Sequence, residues 1–303
     1  GFEDAHAALG HIQALTNGST RAVEIQRQLM PAMLGWFAEG PNPDYGLLAF
    51  RQLSEALGTS SWYLRALRDE GWMAQRLAHI ASSSRYVVNL LMRAPEMVQM
   101  LASSENLELR PRELLSRSMS LDIGRASDKA AAVASVRALR RSELCRIALA
   151  DVLGAADVTT VGLALSDLAG ATLDAALELA RREVEAPPVG VIGMGRWSGY
   201  ELGYASDTDA MFVIPDGSGP EEQAAATRLV RLACDLVGNP GPDPAMVVDT
   251  GLRPEGKGGP LVRTVSSYLT YYAKWSSVWE AQALLRARSA AGEQELASAV
   301  LEG

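Results

Sequence analysis

The sequence predicts an α+β protein, in which an N-terminal helical bundle is followed by a domain with a small mixed sheet flanked by helices. Up to about residue 187, apolar residues recur almost throughout at helical spacing. After Pro187 and Pro188, short apolar runs alternate with glycine-rich turns, a pattern typical of strands. A length of 303 residues is enough for two domains that each bury a core.

The helical part divides into a bundle of short helices and two longer helices. Short amphipathic segments, most with Ser, Thr or Pro start signals, recur in the first hundred residues, and we place an irregular bundle with a linking or regulatory role over residues 1–110. Polar residues 103–111 mark its end, and longer helices are predicted over 128–150 and 158–185. The aromatic and methionine positions expected in the bundle core are Trp36, Phe37, Trp62, Tyr63, Trp72, Met92, Met97 and Met100.

The second domain is predicted over residues 111–303, with its catalytic sheet at about 188–263. Its later predicted elements are a helix over 221–236, a strand over 245–250, a turn over 253–260, and helices beginning at 264, 279 and 293. The helix beginning at 279 is expected to run to residue 288. Because the chain stops within a helical pattern, we expect a fragment whose C-terminal helical domain is truncated.

Composition narrows the class of protein. The net charge of −8 argues against a broad basic face, so no nucleic-acid partner is expected. The two cysteines, Cys145 and Cys234, lie far apart in helical patterns and are interpreted as buried thiols in a reducing compartment. With no signal peptide and no apolar run judged long enough to cross a bilayer, we expect a cytoplasmic protein that does not bind membranes.

One helical face is rich in arginine. Arg137, Arg140, Arg141 and Arg146 lie on the first long helix, where they could contact an acidic partner or a nucleotide. A solvated face is the interpretation we favour, because clusters of like charge on helices usually face water.

The run 189–214 contains the residues that indicate chemistry. Asp207 and Asp209 precede the apolar residues Phe212 to Ile214, and alternation along a strand would place both carboxylates on one side. Adjacent carboxylates repel unless a cation lies between them, and oxygen ligands favour Mg²⁺, which also binds substrate phosphates. Glycines precede the pair where a backbone must approach phosphate oxygens. Together these features indicate a nucleotidyltransferase.

Further residues complete the predicted site. Asp249 ends a short strand-like run and is the third carboxylate, so that Asp207, Asp209 and Asp249 are the predicted catalytic residues and metal ligands. The backbone at Gly195 and Gly199, with the Ser206 hydroxyl, is expected to bind the phosphates. Arg253 and Lys257 are expected either to neutralise the leaving pyrophosphate or to form a salt-bridged turn.

Several motifs occur together in one order. They are 84–95 (SRYVVNLLMRAP), 140–148 (RRSELCRIA), the run from Gly193 to Asp209, 252–262 (LRPEGKGGPLV) and 279–288 (WEAQALLRAR). With this set the chain resembles the bacterial glutamine synthetase adenylyltransferase family, of the actinobacterial type. The resemblance implies a polymerase-β-like nucleotidyltransferase fold, ATP and Mg²⁺ as ligands, glutamine synthetase as the acceptor, and regulation that includes the PII signal protein.

The family has two halves, one that attaches AMP to a tyrosine of glutamine synthetase and one that removes it. Gly203-Tyr204 before Ser206-Asp207, the run 282–284 (QAL) and the helical front over 27–102 resemble the C-terminal, adenylylating half. The run 196–198 (RWS) departs from the family's usual Lys-Leu-Gly, so the positive charge there is Arg196.

Other functions fit the same residues. The chain could be the adenylyl-removing half, which uses inorganic phosphate, or a non-catalytic helical module that binds PII or glutamine synthetase. Transfer to another protein hydroxyl, or of UMP instead of AMP, also fits, because the residues contain no recognisable base-reading motif.

Overall fold

The chain forms two compact units in a computed structural model that describes residues 1–58 and 60–303. The first unit consists of Gly1–Leu109 and Leu144–Asp157, and the second of Arg110–Glu143 and Val158–Gly303. Helices dominate and a mixed sheet is present, which confirms the α+β class. The division into domains at residue 110 stays a prediction.

The first unit is helical. Its described elements are α1 (Ala5–Thr16), α2 (Arg21–Glu39), α3 (Pro43–Leu57), α4 (Ser61–Asp69), α5 (Gly71–Ser83), α6 (Arg85–Arg93) and the 3-10 turns Pro95–Ala102 and Glu105–Leu107. The helices α1, α2, α3 and α6 begin at a residue whose side chain accepts a backbone N–H bond, namely Asp4, Thr20, Asn42 and Ser84. These caps satisfy amide groups that a helix start leaves without partners.

The core of the first unit is aromatic and aliphatic. Phe37 and Phe50 are fully buried with ring centroids 6.0 Å apart, and the buried Tyr63 hydroxyl lies 2.9 Å from Ser54 Oγ. Trp72 and Met92 were expected in the core but are exposed. Arg76 stacks over the Trp72 ring at 4.8 Å, which gives this aromatic residue a contact at the surface.

Three long helices open the second unit or pass through it. They are α7 (Arg112–Arg125), α8 (Lys129–Val152), whose residues up to Glu143 belong to this unit, and α9 (Val158–Arg181). By length and composition α9 could cross a membrane, so the expectation that the sequence holds no such run is wrong. In the structure, 78% of its most apolar window is buried, as in the core helix of a soluble protein.

The sheet is assembled around β2. The strands are β1 (Gly190–Gly193), β2 (Thr208–Ile214), β3 (Val248–Asp249), β4 (Val262–Thr264) and β5 (Arg288–Gly292). The central pair is antiparallel, with Gly193 opposite Ala210, and β5 adds antiparallel to the other edge of β1. β3 and β4 pair in parallel with the beginning and the end of β2.

Helices cover the sheet. They are α10 (Gly195–Ser198), α11 (Pro220–Gly238), α12 (Val265–Lys274), α13 (Val278–Leu284) and α14 (Gln294–Glu302). On one face Ile192, Met211 and Val213 pack with Tyr268 of α12 and Val300 of α14. The Tyr268 hydroxyl donates to Phe212 O at 3.0 Å, and Tyr272 reaches Met211. Because the later residue of α12 contacts the earlier residue of β2, α12 runs back along β2 toward its first residues.

The end of the predicted helix over 279–288 is wrong. Helix α13 stops at Leu284, and Arg288–Gly292 is a strand. The sequence of this strand, RSAAG, lacks the β-branched and aromatic residues that favour strands, so its conformation depends on pairing with β1.

Of the two cysteines, Cys145 is buried and Cys234 is half-buried. Burial raises the pKa of Cys234 to about 12, so this side chain stays protonated at neutral pH.

Candidate active site

The acid Asp209 is the second residue of β2. It lies on the same face as Met211 and Val213, one pleat beyond the core that these residues form with α12 and α14. Its backbone carbonyl accepts the Met194 N–H at 2.9 Å, which extends the pairing of β1 and β2 by one residue. The strand pair therefore fixes Asp209 beside the start of α10.

Gly195 allows the Asp209 carboxylate to approach the backbone. A Cβ at position 195 would lie 3.2 Å from Asp209 Cγ and would collide with Oδ2. The φ of Gly195 is +55°, a conformation that glycine adopts at little cost. Gly195, which was predicted to bind phosphate, is thus the residue against which Asp209, a candidate metal ligand, packs.

Asp249 comes from a strand of only two residues. It is the direct register partner of Asp209 in the parallel pairing of β2 and β3, so both side chains lie on the same face. Its Oδ1 accepts the Gly251 N–H at 2.7 Å, which fixes the orientation of the carboxyl group. The predicted neighbouring strand that places Asp249 beside Asp209 is present.

Asp207 lies just before β2 and is exposed. The pKa of Asp209 is raised, first by burial, then by the charge of Asp249 and then by that of Asp207. Among residues 1–58 and 60–303, no ion pair to any of these three carboxylates is found. None of the three carboxylates is therefore paired directly with a cationic side chain of the described residues.

The three carboxylates do not by themselves make a complete cage for a metal. Within the described residues, no group of three or more His, Cys, Asp or Glu side chains has that arrangement. Mg²⁺ commonly takes only one or two carboxylates and completes its octahedron with waters and substrate phosphates. The uncompensated charge around Asp209 fits such an open site.

The loop that follows β3 is held by Arg253. Arg253 is 7% exposed as a residue, and its guanidinium donates to Thr250 O and Oγ1, Lys257 O and Gly259 O. Burial lowers its pKa, although the nearby Asp249 charge acts in the opposite direction. These contacts give Arg253 a role in shaping the loop, whereas the Lys257 side chain is exposed.

The remaining predicted phosphate-binding groups lie around α10. The Ser206 hydroxyl accepts the Gly203 N–H at 3.0 Å. Gly199 follows α10, and a Cβ there would lie 2.7 Å from Cζ of Arg286. The structure thus brings Gly195, Asp209 and Asp249 together, and it places an arginine at Gly199 for which the sequence suggested no role.

Arg288 fixes the end of α10 from the adjacent strand. It donates to Ser198 O at 3.1 Å and Trp197 O at 3.2 Å, and it stacks over the Tyr200 ring at 4.0 Å. Trp197 is buried and its Nε1 donates to Ser166 O of α9 at 3.0 Å. The sequence did contain an indication that Arg286 and Arg288 matter, because both lie in the run 279–288, one of the motifs that carry the family resemblance.

The residues 137–141 of α8 hold the segment that leads into β3. Arg137 donates to Asp243 O at 3.2 Å, Arg140 donates to Pro244 O at 2.7 Å, and Arg141 forms an ion pair with the buried Asp243 carboxylate. We call these three arginines the arginine clamp. The expected solvated face is wrong, because their charges are used within the second unit.

Comparison with known proteins agrees with this geometry. A family model described as glutamate-ammonia ligase adenylyltransferase matches residues 74–303. Similar curated proteins share the name bifunctional glutamine synthetase adenylyltransferase/adenylyl-removing enzyme. That of Cutibacterium acnes is 56% identical over 303 residues, which is 100% of this chain and 30% of the relative. That of Streptomyces avermitilis is 44% identical over 326 aligned residues, which is 100% of this chain and 33% of the relative.

The protein of Mycolicibacterium smegmatis is 46% identical over 308 residues, which is 98% of this chain and 31% of the relative. The chain therefore spans about a third of the length of the curated relatives it matches. Because the family model matches residues 74–303 and a relative is 56% identical over all of the chain, the chain belongs to the glutamate-ammonia ligase adenylyltransferase family.

Proposed function

We propose that the second unit is a nucleotidyltransferase of polymerase-β-like fold that moves AMP from ATP to a tyrosine hydroxyl of glutamine synthetase. The observation that carries the proposal is the in-register pair Asp209 and Asp249, with Asp209 against Gly195. The names of the relatives supply the acceptor and the transferred group.

Mg²⁺ fits the acids of this site. Asp207, Asp209 and Asp249 would hold it, since burial and two neighbouring charges already raise the pKa of Asp209. When bound, such an ion neutralises the carboxylates and polarises the phosphate oxygens. The protein's contribution is to fix the carboxylates, and the pairing of β2 with β1 and β3 does this for Asp209 and Asp249.

The reaction is an in-line displacement at the α-phosphorus of ATP. The tyrosine oxygen forms the new P–O bond, the bond to the bridging oxygen breaks, and pyrophosphate leaves with that electron pair. Asp249 accepts or orients the phenolic proton, using the oxygen that does not bind Gly251 N. A phenol has a pKa of about 10 and is protonated at neutral pH, so its proton must move as the P–O bond forms.

The adenylylating direction is favoured over removal by Gly203-Tyr204 before Ser206-Asp207. Each relative's name includes both activities, and the chain spans about a third of those proteins. Supplying adenylylated glutamine synthetase and inorganic phosphate tests the alternative directly. Release of ADP without any AMP transfer from ATP would assign the chain to the removing half. A PII partner and a cytoplasmic location stay predictions.

The catalytic test uses ATP labelled at the α-phosphate, Mg²⁺ and glutamine synthetase. Asp209→Asn is expected to lower the rate of label transfer at least about a hundredfold, because a charge that must face the phosphates is lost. Its melting temperature should not fall, since the substitution also removes a repelled, half-buried charge. Glu221→Gln, an exposed acid in the first turn of α11, is the matched control and should transfer normally. Undiminished transfer by Asp209→Asn would exclude the mechanism.

A further inference from the structure

The Gly199 backbone is covered by the guanidinium of Arg286. A Cβ at this position would lie 2.7 Å from Cζ and 3.0 Å from Nε of Arg286. A side chain at this position would require the arginine to move, so the guanidinium approaches the backbone this closely because residue 199 is glycine.

The strand register places Arg286 at the carboxylate end of the sheet. Gly193 pairs with Ala210 of β2 on one side and with Arg288 of β5 on the other. Arg286 precedes β5 by two residues. It therefore lies just past the end of the strands at which Asp209 is located. Gly195 and Gly199 are separated by one turn of α10, a rise of about 6 Å. The arginine and the acids therefore lie at opposite ends of that single turn.

The existing partner of Arg286 is easily replaced. Its Nη2 lies 2.6 Å from Oε1 of Glu201, and the two side chains are 51% and 57% exposed. Exposed ion pairs contribute little to stability, because water and salt screen both charges. A phosphate offers the planar guanidinium two parallel charge-assisted bonds, which are stronger and more directional.

Arg253 does not offer the same opportunity. Its guanidinium is buried and its N–H groups donate to acceptors within residues 250–259. A phosphate that bound Arg253 would have to compete with those loop acceptors. A phosphate that bound Arg286 would have to replace the exposed carboxylate of Glu201.

We propose that Arg286 binds the phosphates of the nucleotide and that Glu201 competes with them for this arginine. The inference rests on the proposed nucleotidyl transfer and names a cation for it. It requires the two members of one ion pair to affect binding in opposite directions, which a structural salt bridge would not do.

The test measures the dissociation constant of MgATP by calorimetry on the whole chain. Arg286→Gln should raise this constant about 10- to 100-fold, as expected for lost hydrogen bonds to a charged group. Glu201→Gln should lower it about twofold to fivefold, because the competing carboxylate is gone. Arg286→Lys should fall between the parent and Arg286→Gln, since it keeps the charge and loses the planar fork.

The double variant and a surface pair provide the controls. Glu201→Gln combined with Arg286→Gln should match Arg286→Gln alone, because Glu201 acts through the arginine. Asp69→Asn breaks the comparably exposed pair Arg68–Asp69 in the first unit and should leave the constant unchanged.

Each outcome decides the proposal. An unchanged constant in Arg286→Gln would overturn it, as would weaker binding in both single variants, which indicates a structural pair. A parent chain that binds no MgATP would overturn both this inference and the proposed function. The predicted pattern of binding without AMP transfer to glutamine synthetase would keep the role of Arg286 and reject only the proposed transfer reaction.

Discussion

Gly195 has two constraints that act on one residue. Its φ of +55° lies in the left-handed region, and the Asp209 carboxylate occupies the space that a side chain would need. The left-handed conformation costs a non-glycine residue about 1–2 kcal/mol, and the collision with Asp209 adds to that cost. The two effects together make this position a sensitive probe of the site.

Gly195→Ala should therefore lower the free energy of unfolding by about 2 kcal/mol and reduce AMP transfer strongly, because the new methyl group moves Asp209. Gly124→Ala in α7 is the matched control, since no atom lies within 4 Å of its added Cβ. That control should be neutral or stabilising by about 0.5–1 kcal/mol, as helix propensity predicts. Chemical denaturation and the transfer assay measure both effects, and equal behaviour of the two variants would contradict this account.

At the level of single residues, the sequence predicted the acids better than the cations. Asp249 ends a strand-like run, and the expected pairing of neighbouring strands was enough to bring Asp209 and Asp249 together. Strand alternation was expected to align Asp207 with Asp209, but β2 begins at Thr208 and Asp207 lies before it. Arg253 lies in a predicted turn and Arg286 in a predicted helix, and neither pattern shows what the guanidinium contacts. Only the fold shows that Arg253 donates to carbonyl groups of its own loop and that Arg286 lies against the backbone of Gly199.

Among the elements, β3 depends most on its surroundings. It has two residues, Val248 and Asp249, and so few hydrogen bonds of its own. The arginine clamp binds the segment just before it, through Asp243 and Pro244. The position of Asp249 therefore depends on α8 as well as on β2.

Breaking the buried pair of the clamp should have a large effect. Arg141→Leu leaves the Asp243 carboxylate, whose side chain is 8% exposed, without its cation, and should lower the free energy of unfolding by about 3–5 kcal/mol. AMP transfer should fall as well, because the approach to β3 loosens. Glu178→Gln breaks the exposed pair with Arg182 in α9 and should cost at most about 0.5 kcal/mol. A cost for Arg141→Leu as small as that of this control would mean that the clamp does not hold β3.

Strand β5 shows where prediction of an element fails. The residues RSAAG carry neither alternation nor β propensity, and they follow a helix that the sequence extends too far. Hydrogen bonding to β1 stabilises the strand conformation that the residues of β5 do not favour by themselves. The strand Gly190 to Gly193 offers an unpaired edge, and β5 pairs with it. Such a tertiary cause is invisible to local pattern.

For the molecule as a whole, α9 is the largest buried element of the second unit. It packs against α7, α11 and β5, and its apolar residues are buried almost throughout. The broad apolar surface of α9 explains two observations. It makes the composition of the helix suitable for crossing a membrane, and it allows the helix to pack in a protein core. The stability of the second unit should depend heavily on this helix.

Leu173→Ala in α9 should lower the free energy of unfolding by about 2–5 kcal/mol, because the side chain is fully buried and leaves a cavity. Leu163→Ala in the same helix removes an equal side chain that is 44% exposed, and should cost less than about 1 kcal/mol. Thermal melting of both variants checks the difference. A similar loss for both would mean that α9 is not packed as described.

The division of the chain into a helical part and a sheet-bearing part followed from the switch of pattern at Pro187 and Pro188. The composition of the two compact units did not follow, because α8 contributes its residues up to Glu143 to one and those from Leu144 to the other. A helix pattern shows which residues are apolar, but it does not show which neighbours they contact.

The contacts of α8 with the segment before β3 limit how far the chain can be truncated from its N-terminus. Arg141 and Asp243 are 102 residues apart, so the segment that precedes the third acid is held by a distant part of the chain. A shortened version that begins at α9 would keep every strand and all three carboxylates. It would lose the arginine clamp, which holds the segment before Asp249. The shortest active fragment is therefore expected to begin before Arg137.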